Sequence, residues 1–228
     1  MFKDVYHSTH VQHLQIIKPR YGSHQKECVY AAKDIVMSAV FITGIKGGDF
    51  VYAKGRDPVT KKVYICERFA GAFDKLYKNV TGSIYVLPGA TFKEGLTGFD
   101  EEVVSELPVN PLKEISINDM LAYLTTLAEQ NNLVMKYYPE RIDDIPSDDE
   151  DLVYRAVIWT KQFGDYILER IKEYHPALYP IVMKILGSEE EFVDRAKLWI
   201  NRFGYEDFII DALKNDFPHI YNKIGAIK

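Results

Sequence analysis

The sequence predicts an α+β protein in two parts, and three observations lead to this prediction. A length of 228 residues suits one large domain or two small ones. Short β-prone runs separated by turns dominate residues 1–115. Apolar residues recur every three to four positions through most of residues 116–228. We therefore expect a strand-rich α+β domain over 1–115, followed by an all-α domain over 116–228.

The predicted elements of the first domain are mostly strands. A helix is expected over 9–17, with Thr9 as its N-cap and Pro19 as its stop, and a second helix is expected after the cap residue Asp34. A turn at 55–58 joins two of the strands as a hairpin. The predicted strands cover 5–7, 28–31, 50–53, 62–66, 83–87, 102–105 and 112–117.

The second domain contains an internal repeat. Residues 149–179 align with residues 189–221, and each copy predicts a helix, a glycine turn, a second helix and a proline stop. We expect a duplicated helix pair, with Trp159 and Trp199 packed in its core. The acidic stretch 143–151 is interpreted as a solvated turn, a linker or a helix start. In the first helix and glycine turn, five residues of the first copy are identical in the second: Arg155, Ala156, Trp159, Phe163 and Gly164 match Arg195, Ala196, Trp199, Phe203 and Gly204.

Composition excludes several classes of protein. Hydrophobic residues make up 47% and charged residues 27% of the chain, which excludes disordered and collagen-like proteins. Two cysteines, Cys28 and Cys66, cannot build a disulfide framework or a four-cysteine zinc site. The start of the chain lacks an apolar leader, and no apolar run approaches the roughly 20 residues of a membrane-spanning helix. These features predict a cytoplasmic protein that does not contact a membrane.

Charge is distributed unevenly along the chain. Residues 1–115 carry 15 Lys and Arg against 13 Asp and Glu, whereas residues 116–228 carry 13 against 20. Neither part has the basic stripe of a protein that binds duplex DNA. We expect a macromolecular partner to be a protein rather than a nucleic acid.

Histidines near the N-terminus form one candidate metal site. His7, His10 and His13 are spaced three residues apart, and His24 and Cys28 follow. On a helix, residues at this spacing fan around the axis, whereas a zinc helix places two histidines four residues apart on one face. The pattern therefore predicts no metal site.

A histidine, an aromatic residue and a carboxylate form the stronger candidate site. His7 lies in the first predicted strand, and Tyr30 lies in the second. Glu102 begins a later strand and follows Asp100 and Glu101. A sheet can bring three such strands together, although their spacing in the sequence does not require it.

The sequence around these residues resembles the diphtheria-toxin-like ADP-ribosyltransferases. Tyr6-His7-Ser8-Thr9 resembles the histidine strand of that superfamily, and Val29-Tyr30-Ala31-Ala32-Lys33-Asp34, with Ser38-Ala39, resembles its tyrosine segment. Glu102-Val103-Val104-Ser105 resembles its late glutamate strand. The resemblance covers residues 1–115, where His, Tyr and Glu follow one another in the order of the superfamily.

The resemblance implies a split mixed or antiparallel sheet and an enzyme that uses NAD as a substrate. His7 would hydrogen-bond the nicotinamide-side ribose, and Tyr30 would stack on the nicotinamide ring. Glu102 would bind the 2″-hydroxyl group and stabilise the cation that forms as nicotinamide leaves. The implied catalytic residues are Glu102 and His7, and the implied NAD-binding residues are His7, Ser8, Thr9, Tyr30 and Ala31.

The sequence departs from the superfamily at one residue and leaves the catalytic carboxylate open. Ser8 stands where the superfamily has glycine, and it adds a side chain where the backbone approaches the ligand. The catalytic carboxylate would be one of Asp100, Glu101 and Glu102.

Two functions remain open. The main hypothesis is ADP-ribosyl transfer to an unknown acceptor, or NAD hydrolysis. The alternative is a non-catalytic interaction protein that keeps the fold and binds a partner through the helical repeat.

Overall fold

A computed structural model describes residues 2–21, 26–44, 48–97, 99–143, 145–203 and 206–224. These residues contain both helices and antiparallel and mixed sheets, which confirms the α+β class. The chain divides into two units, Met1–Arg141 and Ile142–Lys228. Among the described residues, no helix has both the length and the apolar character needed to span a membrane.

The first unit extends beyond residue 115, where the sequence placed the end of the first domain. Helix α4 (Met120–Glu129) follows its cap residue Asp119 and buries Met120 and Leu124. Strand β9 (Leu133–Lys136) then pairs in parallel with β5 (Val63–Glu67). The apolar spacing indicates the helix, but a four-residue strand is too short to show a period. Both elements belong to unit 1 because β9 completes one of its sheets.

The larger sheet of unit 1 has six strands in antiparallel pairs. The strands are β1 (Asp4–Thr9), β2 (Arg20–Tyr21), β3 (Glu27–Ala32), β6 (Gly82–Pro88), β7 (Glu102–Ser105) and β8 (Lys113–Ile117). Their order in the sheet is β2-β3-β1-β6-β8, and β7 pairs with β3 outside that path.

This sheet consists of two halves that meet at one backbone pair. Strand β1 pairs with β6 along all of its residues, from Asp4 to Thr9. Strand β3 pairs with β7 from Val29 to Ala32. Between β1 and β3 the register contains Tyr6 opposite Ala32 and no other pair among the described residues. The sheet is therefore open between β1 and β3 beyond that pair.

One face of the sheet is covered by loops rather than by a helix. Val5, Ala31 and Tyr85 belong to a buried cluster on this face, and Ile17 and Val109 from two loops complete it. The helix predicted over 9–17 is wrong. Thr9 is the last residue of β1, and residues 10–19 form an irregular segment whose backbone bonds reach other parts of the sheet.

Helix α1 (Ile35–Val40) covers the other face. The Asp34 carboxylate accepts hydrogen bonds from the Val36 and Met37 amides at 2.7 and 3.0 Å, as its predicted capping role requires. At the far end of α1, the buried hydroxyls of Tyr52 and Tyr77 both donate to the Val40 carbonyl. Both ends of α1 are therefore fixed by side chains.

The smaller sheet contains the predicted hairpin. Strands β4 (Tyr52–Arg56) and β5 pair antiparallel, and the Asp57 carboxylate accepts from the Val59 and Thr60 amides in the turn. The strand predicted over 50–53 begins only at Tyr52, because Gly48–Val51 forms the short helix α2. Helix α3 (Ala72–Tyr77) follows β5.

The regular elements in the described part of unit 2 are all helices. Two of its helix pairs occupy the ranges of the predicted repeat, and the duplication itself stays a prediction. Gly164, with φ of 89°, ends the first helix of the first copy, whereas the matching Gly204 lies outside the described residues. The helices are α5 (Glu150–Phe163), α6 (Tyr166–Tyr174), α7 (Tyr179–Gly187), α8 (Glu189–Phe203), α9 (Glu206–Asp216) and α10 (Pro218–Ile224).

A buried carboxylate organises the core of unit 2. Glu150 accepts from the Trp199 indole Nε1 and from Arg195, each at 2.7 Å, and Trp199 is fully buried. The prediction that Trp199 belongs to the core is confirmed, whereas Trp159 is only partly buried. Helix α5 begins at Glu150, so the interpretation of 143–151 as a helix start is confirmed there, whereas the interpretation as a solvated turn is wrong at this buried residue. Arg195 and Trp199 compensate for burying its charge. Asp144 lies outside the described residues.

The start of β6 tests the close packing of unit 1. A methyl group at Gly82 would lie 2.4 Å from the Thr9 carbonyl oxygen, too close without moving backbone. We expect Gly82→Ala to lower the free energy of unfolding by about 1–3 kcal/mol, measured by denaturant unfolding. Gly187→Ala is the control, because nothing lies within 4 Å of its added methyl group. Equal stability of the two variants would contradict this packing.

Candidate functional site

The three predicted site residues lie around the pair that joins the two halves of the larger sheet. His7 follows Tyr6 on β1, and Glu102 lies opposite Ala32 at the start of β7. Tyr30 lies two residues before Ala32 on β3. The fold therefore brings three strands that are distant in sequence to one point, where β1 and β3 separate.

The three side chains do not share one face of the sheet. Side chains alternate along a strand, and residues paired across strands point to the same side. Tyr30 and Glu102 consequently lie on the α1 face, together with Ser8, whereas His7 lies on the face of Val5 and Ala31. His7 still reaches across the opening, because its Nδ1 lies 2.7 Å from the Tyr30 carbonyl oxygen.

The hydrogen bond of His7 defines its chemistry. A carbonyl oxygen only accepts, so Nδ1 carries the proton and Nε2 keeps its lone pair. Burial lowers the pKa of His7 from its ordinary value of 6.5, and the positive charge of Arg20 lowers it further against the opposing effect of the Tyr30 hydrogen bond. At pH 7 His7 is therefore neutral, with Nε2 as a hydrogen-bond acceptor.

Tyr30 is held by its hydroxyl, and the charge of Glu102 acts on the same group. Its hydroxyl donates to the Lys26 carbonyl at 3.1 Å. Burial raises the pKa of Tyr30, and the charges of Cys28 and Glu102 raise it further. Glu102 is thus close enough to act electrostatically on the tyrosine, as expected for neighbours on one face of paired strands.

An ion pair distinguishes the members of the acidic run. Arg56 donates from Nε and Nη2 to the two carboxylate oxygens of Glu101, both at 2.7 Å. This pairing raises the pKa of Arg56 and lowers that of Glu101. Asp100 is exposed, whereas Glu102 is partly buried beside Tyr30. Glu102 is therefore the carboxylate that the fold directs to the candidate site.

Arg56 also connects the smaller sheet to the candidate site. Its Nη1 donates to the Lys61 carbonyl at 2.7 Å, and its Nη2 lies 3.8 Å from the Asp34 carboxylate. One guanidinium thus contacts the hairpin, the cap of α1 and the residue before Glu102. Sequence reasoning missed Arg56, because 45 residues separate it from Glu101 and no local pattern marks such a pair.

The residues predicted to approach NAD lie along the opening. The Ser8 hydroxyl donates to the Ser38 carbonyl on α1 at 2.5 Å. The hydroxyl of Ser38 itself is buried and has no hydrogen-bond partner among the described residues. Thr9 ends β1, and its hydroxyl accepts from the Val11 amide. Ala31, by contrast, is buried in the cluster on the loop-covered face, opposite the face of Tyr30. The Ser8 side chain therefore occupies the space between β1 and α1.

The histidines do not form a common site within the described part of the chain. His10 lies 3.4 Å from the Thr81 carbonyl oxygen, and His13 contacts Glu114. The described residues contain no group of three or more His, Cys, Asp or Glu side chains arranged to hold a metal ion. His24 lies outside the described residues.

Comparisons with known proteins found no matching family model, no matching curated protein and no matching solved structure.

The Arg56–Glu101 ion pair predicts a specific dependence of stability on pH. The folded pKa of Glu101 is below its ordinary value of 4.5, so the pair stabilises unit 1 fully above that value. The contribution disappears as the pH falls through the lower, folded pKa. We expect Glu101→Gln to cost about 1–2 kcal/mol at pH 7 and to make unfolding less sensitive to acid, measured by urea unfolding at several pH values. An unchanged pH profile would contradict this account.

Proposed function

We propose that unit 1 binds NAD at the opening between β1 and β3 and cleaves the bond between nicotinamide and ribose. ADP-ribose would pass to an acceptor, with a protein favoured over a nucleic acid, or to water. One observation carries the proposal: the strands that bear His7, Tyr30 and Glu102 come together beside Tyr6–Ala32, the one pair among the described residues that joins the two sheet halves. These are the residues that the ADP-ribosyltransferase resemblance implies.

The proposed reaction breaks one bond and forms one. The electron pair of the ribose C1″–N bond leaves with nicotinamide, whose ring loses its positive charge. The ribose gains oxocarbenium character, an acceptor oxygen or nitrogen adds to C1″, and the acceptor releases a proton. A carboxylate near C1″ stabilises this developing charge more than the substrate itself.

Glu102 suits that role better than its neighbours. The Glu101 carboxylate forms its ion pair with Arg56 at the end of β4, and Asp100 is exposed. Glu102 is partly buried, where a charge acts more strongly than it would in water. It lies on the face of Tyr30, whose ring would position nicotinamide and exclude water.

His7 suits a binding role rather than an acid role. It is neutral at pH 7, and its Nε2 is available to accept a hydrogen bond from a ribose hydroxyl. Its Nδ1 is fixed by the Tyr30 carbonyl, so the ring has a defined orientation before a ligand arrives. This contact also ties the histidine strand to the tyrosine strand.

Ser8 determines whether NAD fits. Its hydroxyl contacts the Ser38 carbonyl, so a ligand lying between β1 and α1 requires Ser8 to turn away. The buried Ser38 hydroxyl, which lacks a partner among the described residues, would then be satisfied by the ligand. The same Ser8 contact favours the alternative function, a non-catalytic interaction protein in which this space stays closed and the helical repeat of unit 2 binds a partner.

Release of nicotinamide from NAD tests catalysis directly. We expect Glu102→Gln to reduce the rate by about 100-fold or more, because it removes the stabilising charge while keeping the side-chain shape. Asp100→Asn is the matched control from the same acidic run and should retain the rate. Both variants should melt at the wild-type temperature.

A thermal shift with NAD distinguishes the remaining possibilities. Stabilisation by NAD without nicotinamide release supports a binding module or an enzyme that lacks its acceptor. The absence of both release and stabilisation in the wild-type protein would reject the NAD proposal and favour partner binding through unit 2.

Ser8→Gly provides a second prediction. Removing the hydroxyl clears the contact with Ser38, so we expect NAD to bind roughly tenfold more tightly, equivalent to about 1.4 kcal/mol. The more crowded Ser8→Thr should weaken binding. Isothermal titration calorimetry measures both, and an unchanged dissociation constant in Ser8→Gly would contradict the proposed ligand position.

A further inference from the structure

A row of three polar side chains crosses the loop-covered face of the larger sheet. His7 on β1 lies opposite Tyr85 on β6, and Tyr85 lies opposite Glu114 on β8. Tyr85 is fully buried, and Glu114 is partly buried. Cross-strand neighbours have Cβ atoms about 4.5–5.5 Å apart, so each side chain lies beside the next, and the Tyr85 hydroxyl lies 3.3 Å from a Glu114 carboxylate oxygen.

Residues 10–14, which we call the His13 loop, are fastened to this row. The His13 amide donates to a Glu114 carboxylate oxygen at 2.9 Å, and the Leu14 amide donates to the Tyr85 hydroxyl at 3.0 Å. The Tyr85 hydroxyl in turn donates to the Val11 carbonyl at 2.9 Å. The Tyr85 ring is therefore held at its tip by the loop on two sides.

Glu114 is the centre of these contacts. The carboxylate oxygen that accepts from His13 also accepts from the buried Ser83 hydroxyl at 2.5 Å. Hydrogen bonds to a charged carboxylate are about twice as strong as neutral ones. The bond from the His13 amide supports a φ of 61° at His13, a left-handed conformation that residues other than glycine rarely adopt. Without Glu114, that conformation loses this bond.

We propose that Glu114 is a positioning residue that acts on His7 through the His13 loop and Tyr85. The loop holds the Tyr85 ring in place, and the ring fixes its cross-strand neighbour His7 with Nδ1 on the Tyr30 carbonyl. The catalytic consequence rests on the proposed function, whereas the positioning of His7 can be measured without NAD.

The direction in which the pKa of His7 changes distinguishes loss of the Glu114 charge from loss of positioning. The charged or titratable groups that act on His7 and the row are Arg20 on β2, Tyr85 on β6, Glu114 on β8 and His13 in the loop. Removing the negative charge of Glu114 disfavours a positive imidazolium, which lowers the pKa of His7. Releasing the loop has the opposite effect on the pKa of His7. Burial is the largest cause of its lowered pKa, so water reaching the imidazole raises the pKa by more than loss of the Tyr30 hydrogen bond lowers it. A rise in the pKa of His7 in a Glu114 variant therefore indicates loss of positioning and not loss of the Glu114 charge.

The test is an NMR titration of the His7 ring in Glu114→Ala and Glu114→Gln. In Glu114→Ala we expect the pKa of His7 to rise toward 6.5 and the amides of His13 and Leu14 to exchange faster. Glu114→Gln keeps an acceptor for these amides and should show a smaller rise, and it serves as the readout if the alanine variant does not fold. Glu140→Ala is the control, since this exposed carboxylate pairs with Lys136 near the smaller sheet.

Two outcomes separate this inference from the proposed function. An unchanged or lower pKa of His7 in the folded Glu114 variants, with faster loop exchange, would overturn the positioning role and leave the NAD proposal standing. A raised pKa in a protein whose wild-type form neither binds nor cleaves NAD would support positioning while rejecting the proposed function. If both proposals hold, NAD should bind at least threefold more weakly to Glu114→Ala than to Glu140→Ala.

Discussion

The single backbone pair between Tyr6 and Ala32 is the constraint on which unit 1 depends. Strand β1 uses its full length to pair with β6, and β3 pairs with β7, so the two halves meet at this one point. A backbone carbonyl beside such an opening needs a partner other than the neighbouring strand. The His7 ring supplies that partner for Tyr30. The histidine is thus a structural bridge as well as a candidate ligand-binding group.

The surroundings of the opening are fixed by contacts between distant parts of the chain. Arg56 connects the smaller sheet to the residue before Glu102, and Tyr52 and Tyr77 hold the end of α1. A site built on such fixed elements is organised before its ligand binds, which is where electrostatic stabilisation of a transition state is most effective. The same rigidity makes the position of the Ser8 hydroxyl important, because α1 cannot easily move away from it.

Local features of the fold could be predicted from the sequence, and long-range contacts could not. The Asp34 cap, the hairpin turn and the strand that begins at Glu102 follow from residue preferences within a few positions. Thr9 carries the same preference as a cap, yet pairing with β6 places it in a strand. The contacts of Arg56 and Glu114 depend on which strands become neighbours, information that no local pattern contains. His7, Tyr30 and Glu102 could be identified as candidate site residues only from the superfamily resemblance and from their order along the chain.

The most direct test of the account is a map of where NAD binds. Backbone amide shifts recorded with a non-cleavable NAD analogue would locate the ligand whether or not the protein turns it over. If NAD binds in this opening, we expect the largest shifts at the ends of β1 and β3 and at the start of β7, around His7, Tyr30 and Glu102. Shifts confined to unit 2, or none at millimolar analogue, would contradict the assignment of this opening as the ligand site.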